Sequence, residues 1–360
     1  MNLGRLSRIL KSMEEKAMPQ MIISDPVTIF YLTGKLIHPG ERLLALYLNV
    51  NGNHKLMINE LFPQEKDLGV ELAWYNDSQD GVEILSQFVE SDKPIGIDKK
   101  WPAKFLIRLQ ELGGGSKFLN GSLIVDYIRM IKDEKEQELM RESSKLNDSI
   151  MGKVIPWAGK GLTEKDLAQK VRDFYKEEGV VGGNTAIAAY AKGAADPHHA
   201  ANDSKGKRGD CVILDFGGYK GNYASDMTRT VFIGEVSDRA REIYNIVWEA
   251  NRRGIAAAKP GNRMCDVDLA CRSYIEEKGF GKYFTHRTGH SIGLEGHEYG
   301  DVSSVNEDII KAGQCFSVEP GIYIPEEGIG VRIEDIVLTT EDGCEVLNHY
   351  TKDLIVVPEE

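Results

Sequence analysis

Four carboxylates stand in apolar surroundings that a soluble chain normally avoids. Asp215 ends the run Val212-Ile-Leu-Asp-Phe and is followed by two glycines, and Asp226 opens Asp-Met-Thr-Arg-Thr-Val-Phe. Glu319 ends Phe316-Ser-Val-Glu before Pro-Gly, and Glu334 lies within Val331-Arg-Ile-Glu-Asp-Ile-Val. An ionised carboxylate in such a strand is costly to bury unless something positive neutralises it. Arg229 and Arg332 are two cations against four anions, and divalent metal ions would remove that deficit. Hard oxygen donors with an imidazole suit manganese, cobalt, zinc or iron in a site holding two ions.

The imidazoles are concentrated in the same part of the chain. His198, His199, His286, His290 and His297 are five of its eight histidines, and His290 and His297 lie seven apart among glycines that permit close backbone approach. One histidine alone is more often a core or surface residue; beside four strand carboxylates the group reads as a metal centre. Other residues take plainer readings. Gly217-Gly218 lacks the strand and helix context of a phosphate loop and reads as a tight turn. Cys211 and Cys315 fall in apolar strands and read as core. Thr228 is two positions from Asp226, on the same strand face, and either supports the site or is an ordinary strand threonine. Arg332 stands in the same relation to Glu334, and its simplest role is to neutralise nearby carboxylates.

The elements that position these residues form one device written twice. In each copy an apolar strand ends in a carboxylate, and a returning strand carries the second acid, 11 residues later in the first copy and 15 in the second. A hairpin with a modest loop closes either distance. Thr163, Asp166, Leu167, Val171 and Phe174 predict a capped helix ending at Gly179, and residues 237–258 and 263–278 predict two more. The charged stretch 131–139 opens a further helix with apolar positions Leu139, Leu146 and Ile150, and the domain boundary is expected at 125–132. Before it come an amphipathic helix carrying Leu3, Leu6, Ile9, Leu10 and Met13, strands at 21–23 and 95–97, and helical pieces at 81–89 and 103–112. A hairpin across Asn51-Gly52 joins 43–49 to 55–58. This N-terminal α/β unit holds no catalytic constellation.

At 360 residues the chain exceeds one hydrophobic core, so two domains are expected. No apolar run approaches the roughly 18 residues of a spanning helix, so no membrane partner is expected. The first residues have amphipathic spacing rather than a signal peptide's apolar core, so export is not indicated. Five cysteines without CxxC spacing fit a reducing cytoplasm. A net charge of −12 argues against nucleic acid as the main partner.

Taken in order, Asp-Phe-Gly with Ser-Asp-Met-Thr-Arg-Thr, Thr-Gly-His-Ser-Ile-Gly-Leu-Glu-Gly-His-Glu, Glu-Pro-Gly-Ile-Tyr and Val-Arg-Ile-Glu-Asp resemble the prolidase, aminopeptidase P and methionine aminopeptidase superfamily, the M24 metallopeptidases. The resemblance covers the whole chain: residues 1–128 resemble a creatinase-type N-terminal domain, and 132–356 resemble the catalytic domain. It implies an α/β (α+β) "pita-bread" fold with duplicated αβ halves. It also implies two divalent ions, manganese first, with cobalt, zinc or iron as alternatives. By the same resemblance Asp226 and Glu334 bridge the ions, Asp215 completes one coordination sphere, and His290 with Glu319 completes the other. A metal-bridging hydroxide is then the nucleophile, Glu319 relays the proton, His297 steadies the tetrahedral intermediate, and His198, beside His199, approaches the substrate near the leaving group. Arg332 and Tyr323 are implied substrate-binding residues. Ser291 and Gly296 depart from the residues usual in prolidase-like members; both border the substrate pocket and neither is a ligand.

The implied function is hydrolysis of the peptide bond preceding proline in a short peptide, by an Xaa-Pro dipeptidase or an aminopeptidase, which differ in whether the pocket is closed beyond proline. The N-terminal domain sets the chain apart from strict methionine aminopeptidases. A metal-dependent amidase of a small non-proline amide and a metal-free creatinase-type amidinohydrolase are alternatives on the same fold. Five retained ligands speak against the metal-free reaction and against a non-enzymatic binding module. An N-terminal domain without chemistry of its own is expected to pack on a second subunit, as a homodimer.

Overall fold

Six strands of the first 129 residues form one mixed sheet, ordered Glu71–Tyr75, Lys55–Asn59, Ala45–Asn49, Gln20–Ile23, Pro94–Ile97, Lys117–Asn120. The computed structural model describes residues 1–64, 66–180 and 186–360, and the chain divides into the units Met1–Arg129 and Met130–Glu360. The Asn51-Gly52 hairpin is present: Ala45 to Tyr47 pair antiparallel with Met57 to Lys55, and Gly52 takes the positive φ of +88° that such a turn needs. Helix Leu3–Glu15 buries Leu6, Ile9 and Met13 but leaves Leu3 exposed. Helix Pro26–Thr33 is an addition to the sequence reading. Asp25 caps it by accepting from the Val27 and Thr28 amides, proline opens it, and Gly34 closes it at φ +74°.

The second unit repeats one plan. Helices Glu134–Val154 and Glu164–Glu177 precede a four-stranded sheet ordered Ile355–Val357, Met227–Ile233, Cys211–Phe216, Ala186–Tyr190. Helices Asp238–Ala257 and Met264–Glu277 precede a five-stranded sheet ordered Glu298–Val302, Gly289–Ser291, Cys315–Val318, Asp335–Thr339, Cys344–Val346. Side chains alternate across each sheet. Val212 and Leu214 join a core with Ile150, Val154, Leu167 and Val171 of the first helix pair, while Phe316 and Val318 join one with Ile243, Val247, Val267 and Cys271 of the second. Asp215 and Ser317, out of phase with those residues, therefore face away from the helices.

Three expectations require correction. Residues 331–337 are not one returning strand: Ile329–Arg332 pairs with Gly321–Ile324, Asp335–Thr339 pairs with Cys315–Val318, and Glu334 stands at the break. Asp226 likewise stands between the ladder of Tyr223–Ala224 and strand Met227–Ile233. The second acid of each copy thus sits where the chain changes partner, so a same-face argument does not carry from Glu334 to Arg332 or from Asp226 to Thr228. Helix Glu134–Val154 buries Ser143, Ser144 and Asn147 along with Ile150, while Leu139 and Leu146 are only half-buried. Its inner face satisfies backbone in the middle as well as filling a core at its C-terminal end: Ser143 Oγ donates to the Tyr223 carbonyl at 2.9 Å and Asn147 Nδ2 to the Phe216 carbonyl at 2.9 Å. Gly217 is not in a tight turn either, since the reversal lies at Gly221 and Asn222, with φ of +55° and +69°.

Candidate metal centre

Close backbone approach draws the site residues together within each copy. A Cβ on Gly217 would lie 1.8 Å from the Ser225 carbonyl oxygen, and one on Gly289 would lie 1.9 Å from that of Ser317. Only glycine therefore lets the Asp215 strand meet the Asp226 segment, and the His290 strand meet the one leading to Glu319. Asp215, Asp226, His290, Glu319 and Glu334 converge on one cleft of about 490 Å³. Their ligand atoms form overlapping groups, each with all atoms within 4.8 Å: Asp215 with Asp226 and Glu334, His290 with Glu319 and Glu334, and Asp226 with His290 and His297. His290 Nε2 lies 3.5 Å from Glu319 Oε1 and 3.9 Å from Asp226 Oδ2.

Charge in the cleft is unbalanced. Arg332 donates to Asp215 Oδ2, to Thr228 Oγ1 at 3.1 Å and to the Tyr323 hydroxyl at 2.8 Å. Arg229, expected to neutralise a site carboxylate, instead pairs with Asp335 at 2.8 Å and donates to the carbonyls of Thr228 and Glu334 at 2.9 and 2.7 Å. Among the described residues Arg332 is thus the one arginine bonded to any of the four carboxylates. Burial, then repulsion from Asp215 and Glu319, raises the Asp226 pKa well above the carboxylate range; burial and the charges of Asp226, Glu319 and Asp215 do the same to Glu334. Burial lifts Glu319 to about 7 despite the opposing charge of Arg332. His290 is pressed to about 3 by burial and by His297, so its ring is neutral and its Nε2 free to coordinate. Four crowded oxygen donors with a neutral imidazole fit a divalent metal, which would supply the missing positive charge.

The remaining site residues fall into two groups. His198 lines the cleft, whereas His199 Nε2 is engaged 2.7 Å from Glu164 Oε2. His297 lines it too, its ring centroid 3.8 Å from that of His290. Tyr323 is buried behind Arg332, with its hydroxyl 2.8 Å from His286 Nε2. Thr228 donates to Glu334 Oε2 at 2.7 Å, across the two copies rather than to Asp226 beside it. Sequence reasoning missed the support around these groups. Ser317 Oγ donates to Glu319 Oε1 at 3.1 Å and accepts the His290 amide at 3.0 Å. Buried Lys132 holds Glu298 at 3.0 Å, and Glu298 in turn accepts the Leu294 amide at 2.9 Å, fixing the loop that carries His297. Lys132 and Glu298 are 166 residues apart, and Ser317, though two residues from Glu319, is of a type that carries no signal of its own.

With this geometry in place, the likenesses to known proteins define a class. Residues 138–341 match metallopeptidase family M24 and residues 5–131 match the creatinase/prolidase N-terminal domain. The chain belongs to metallopeptidase family M24: it is a two-domain hydrolase that uses divalent metal. It is 34% identical over 356 residues to an uncharacterized peptidase of Staphylococcus aureus strain MW2, covering 97% of this chain and 99% of that one. A dipeptidase from Pyrococcus horikoshii OT3 superposes with a TM-score of 0.91 at 31% identity, over 98% of this chain and 100% of the other. The Xaa-Pro dipeptidase from Bacillus anthracis does so with a TM-score of 0.90 at 27% identity, over 99% of both chains.

Proposed function

We propose that this metallopeptidase hydrolyses the bond preceding proline in short peptides, using two divalent ions held by Asp215, Asp226, His290, Glu319 and Glu334. The observation that carries the dinuclear reading is the sharing of ligands: Asp226 and Glu334 each belong to the Asp215 group and to a group containing His290. Asp226 and Glu334 would then be the residues shared by both ions. The preference for proline rests on the likeness to the Bacillus anthracis Xaa-Pro dipeptidase.

When bound, the ions supply Lewis acidity toward the scissile carbonyl and hydroxide at neutral pH. The chain's own residues do the rest. Glu319, steadied by Ser317, takes up a proton at its carboxylate and returns it to the departing proline nitrogen. His297, on the fixed loop beside His290, donates a hydrogen bond to the oxygen that becomes negative. His198 stands by the leaving group, with Ile187 and Pro197 as the apolar wall for the pyrrolidine ring. Arg332, tied to Asp215, Thr228 and Tyr323, orients Asp215 and excludes water behind it.

Manganese is the first ion to test on this oxygen-rich donor set, and the proposed working form is a cytoplasmic homodimer, checked by light scattering. The deciding experiment strips the protein of metal and offers Ala-Pro, Ala-Pro-Ala, Met-Ala-Ser and Ala-Ala with and without manganese. Metal-dependent cleavage before proline is expected. No cleavage of any peptide would move the assignment to a small-molecule amidase on the same fold.

A further inference from the structure

The substrate's far end needs a partner that the metal ligands cannot provide. Two arginines line the cleft, Arg332 and Arg287. Arg332 is 4% exposed, and all three of its nitrogens are already donating to Thr228, Tyr323 and Asp215. Its burial and these three bonds commit it to holding Asp215, Thr228 and Tyr323 rather than an incoming anion. Arg287 is the opposite case. It is exposed, and among the described residues its guanidinium has no hydrogen bond or ion pair. Its backbone is nevertheless fixed, because its carbonyl lies 2.6 Å from His286 Nδ1 and the following Thr288 amide and hydroxyl bond the buried Asp268 carboxylate. The site therefore contains a positioned cation whose donors are unspent.

Arg287 also lines a second cleft, of about 400 Å³, with Glu298, Asp301, Asn306 and Asp308 among its other walls. A carboxylate arriving from the metal cleft meets one cation at Arg287 and repelling carboxylates beyond it.

We infer that Arg287 is the specificity-determining seat for the free α-carboxylate of the substrate, which makes the favoured substrate a dipeptide rather than the start of a longer chain. A guanidinium pairs with a carboxylate through two parallel N–H bonds, stronger than neutral hydrogen bonds and lost altogether when the carboxylate is amidated. This inference rests on the Xaa-Pro reading, and its test separates the two. Manganese-loaded protein is assayed on Ala-Pro, Ala-Pro-amide and Ala-Pro-Ala, together with inhibition by L-proline and by L-prolinamide.

The wild type is expected to favour Ala-Pro over its amide. In Arg287→Gln the ratio of kcat/KM for acid over amide is expected to fall roughly 10- to 100-fold, mainly through KM, with part of the preference kept in Arg287→Lys. Proline should lose its advantage over prolinamide as an inhibitor by a similar factor, a readout that a merely structural role would not move. Cleavage of Ala-Pro and its amide with a ratio that Arg287→Gln leaves unchanged overturns the carboxylate seat and leaves the Xaa-Pro reading standing. Failure of the wild type to cleave any of the three removes both.

Discussion

Glu334 and Asp335 are adjacent in the chain, equally buried, and opposite in chemistry. Asp335 accepts from Arg229 on one oxygen and from Lys352 on the other, both at 2.8 Å, and although burial opposes it those two cations hold its pKa below the ordinary range. Among the described residues the Glu334 carboxylate accepts from Thr228 alone; it faces Asp226, Glu319 and Asp215 and is pushed upward. The Asp335 cluster is a buried ion network with its charges matched, which is what structural burial of charge requires. The Glu334 cluster has one bonded arginine, Arg332, among four acids, an arrangement stable only when protons or metal make up the difference. The two differ in balance rather than in burial, and it is the imbalance that marks the functional site.

The most severe test of that contrast removes a shared acid. Asp226→Asn or Glu334→Gln should reduce turnover by on the order of 10²–10³-fold or more, with bound metal falling in elemental analysis. Full metal and activity in either variant would erase the distinction between the clusters. On the structural side, Arg229→Met leaves Asp335 facing Lys352 alone and strips donors from the Thr228, Glu334, Tyr350 and Thr351 carbonyls. It should cost about 3–5 kcal/mol in urea denaturation, while any protein that remains folded keeps its metal. Metal itself should act on one cluster only: at a free concentration about 100 times its Kd it should stabilise the fold by about 2.7 kcal/mol. That gain should vanish in Asp226→Asn and persist in a Lys352→Met variant, as thermal unfolding with and without chelator would record. A finer cut is Thr228→Val, which removes the hydroxyl that orients Glu334 and should weaken metal binding roughly 10- to 100-fold in a competition titration.

How much of this was legible beforehand depends on how local each feature is. The four acids stood out because carboxylates in apolar runs violate the ordinary burial pattern, and His290 stood out by its glycine setting. Caps such as Thr163 and Ser237 were readable because the capped amide lies three residues on. The breaks at Glu334 and Asp226 were not, since a strand that changes ladder keeps the same apolar alternation on both sides. The partner of Arg229 was misread for a related reason. Residue type announces a buried cation's need for an anion, but only the register of Met227–Ile233 against its neighbours decides that Asp335, rather than Glu334, meets it. Lys132 and Glu298, 166 residues apart, offered no local pattern at all.

The smallest effect discriminates most sharply, because it reverses the usual sign of a buried mutation. In metal-free protein Glu334→Gln replaces a group whose ionisation the cluster opposes with a neutral one and leaves an amide oxygen to accept from Thr228, so it should stabilise the fold by on the order of 1 kcal/mol at neutral pH. Glu334 has a folded pKa raised above its unfolded value. Its contribution to stability is therefore present at acidic pH and lost as pH rises from the ordinary glutamate range through the folded pKa. The stability gap between Glu334→Gln and wild type should accordingly widen from acidic to mildly alkaline conditions in the presence of chelator, and should invert when manganese is added. Asp335→Asn should behave oppositely: the lowered pKa of Asp335 means that its contribution holds above the ordinary aspartate range and fades on acidification, with or without metal. Parallel pH dependence in the two neighbouring variants would mean that both clusters are structural ion networks, and the cleft would lose its claim to be the metal centre.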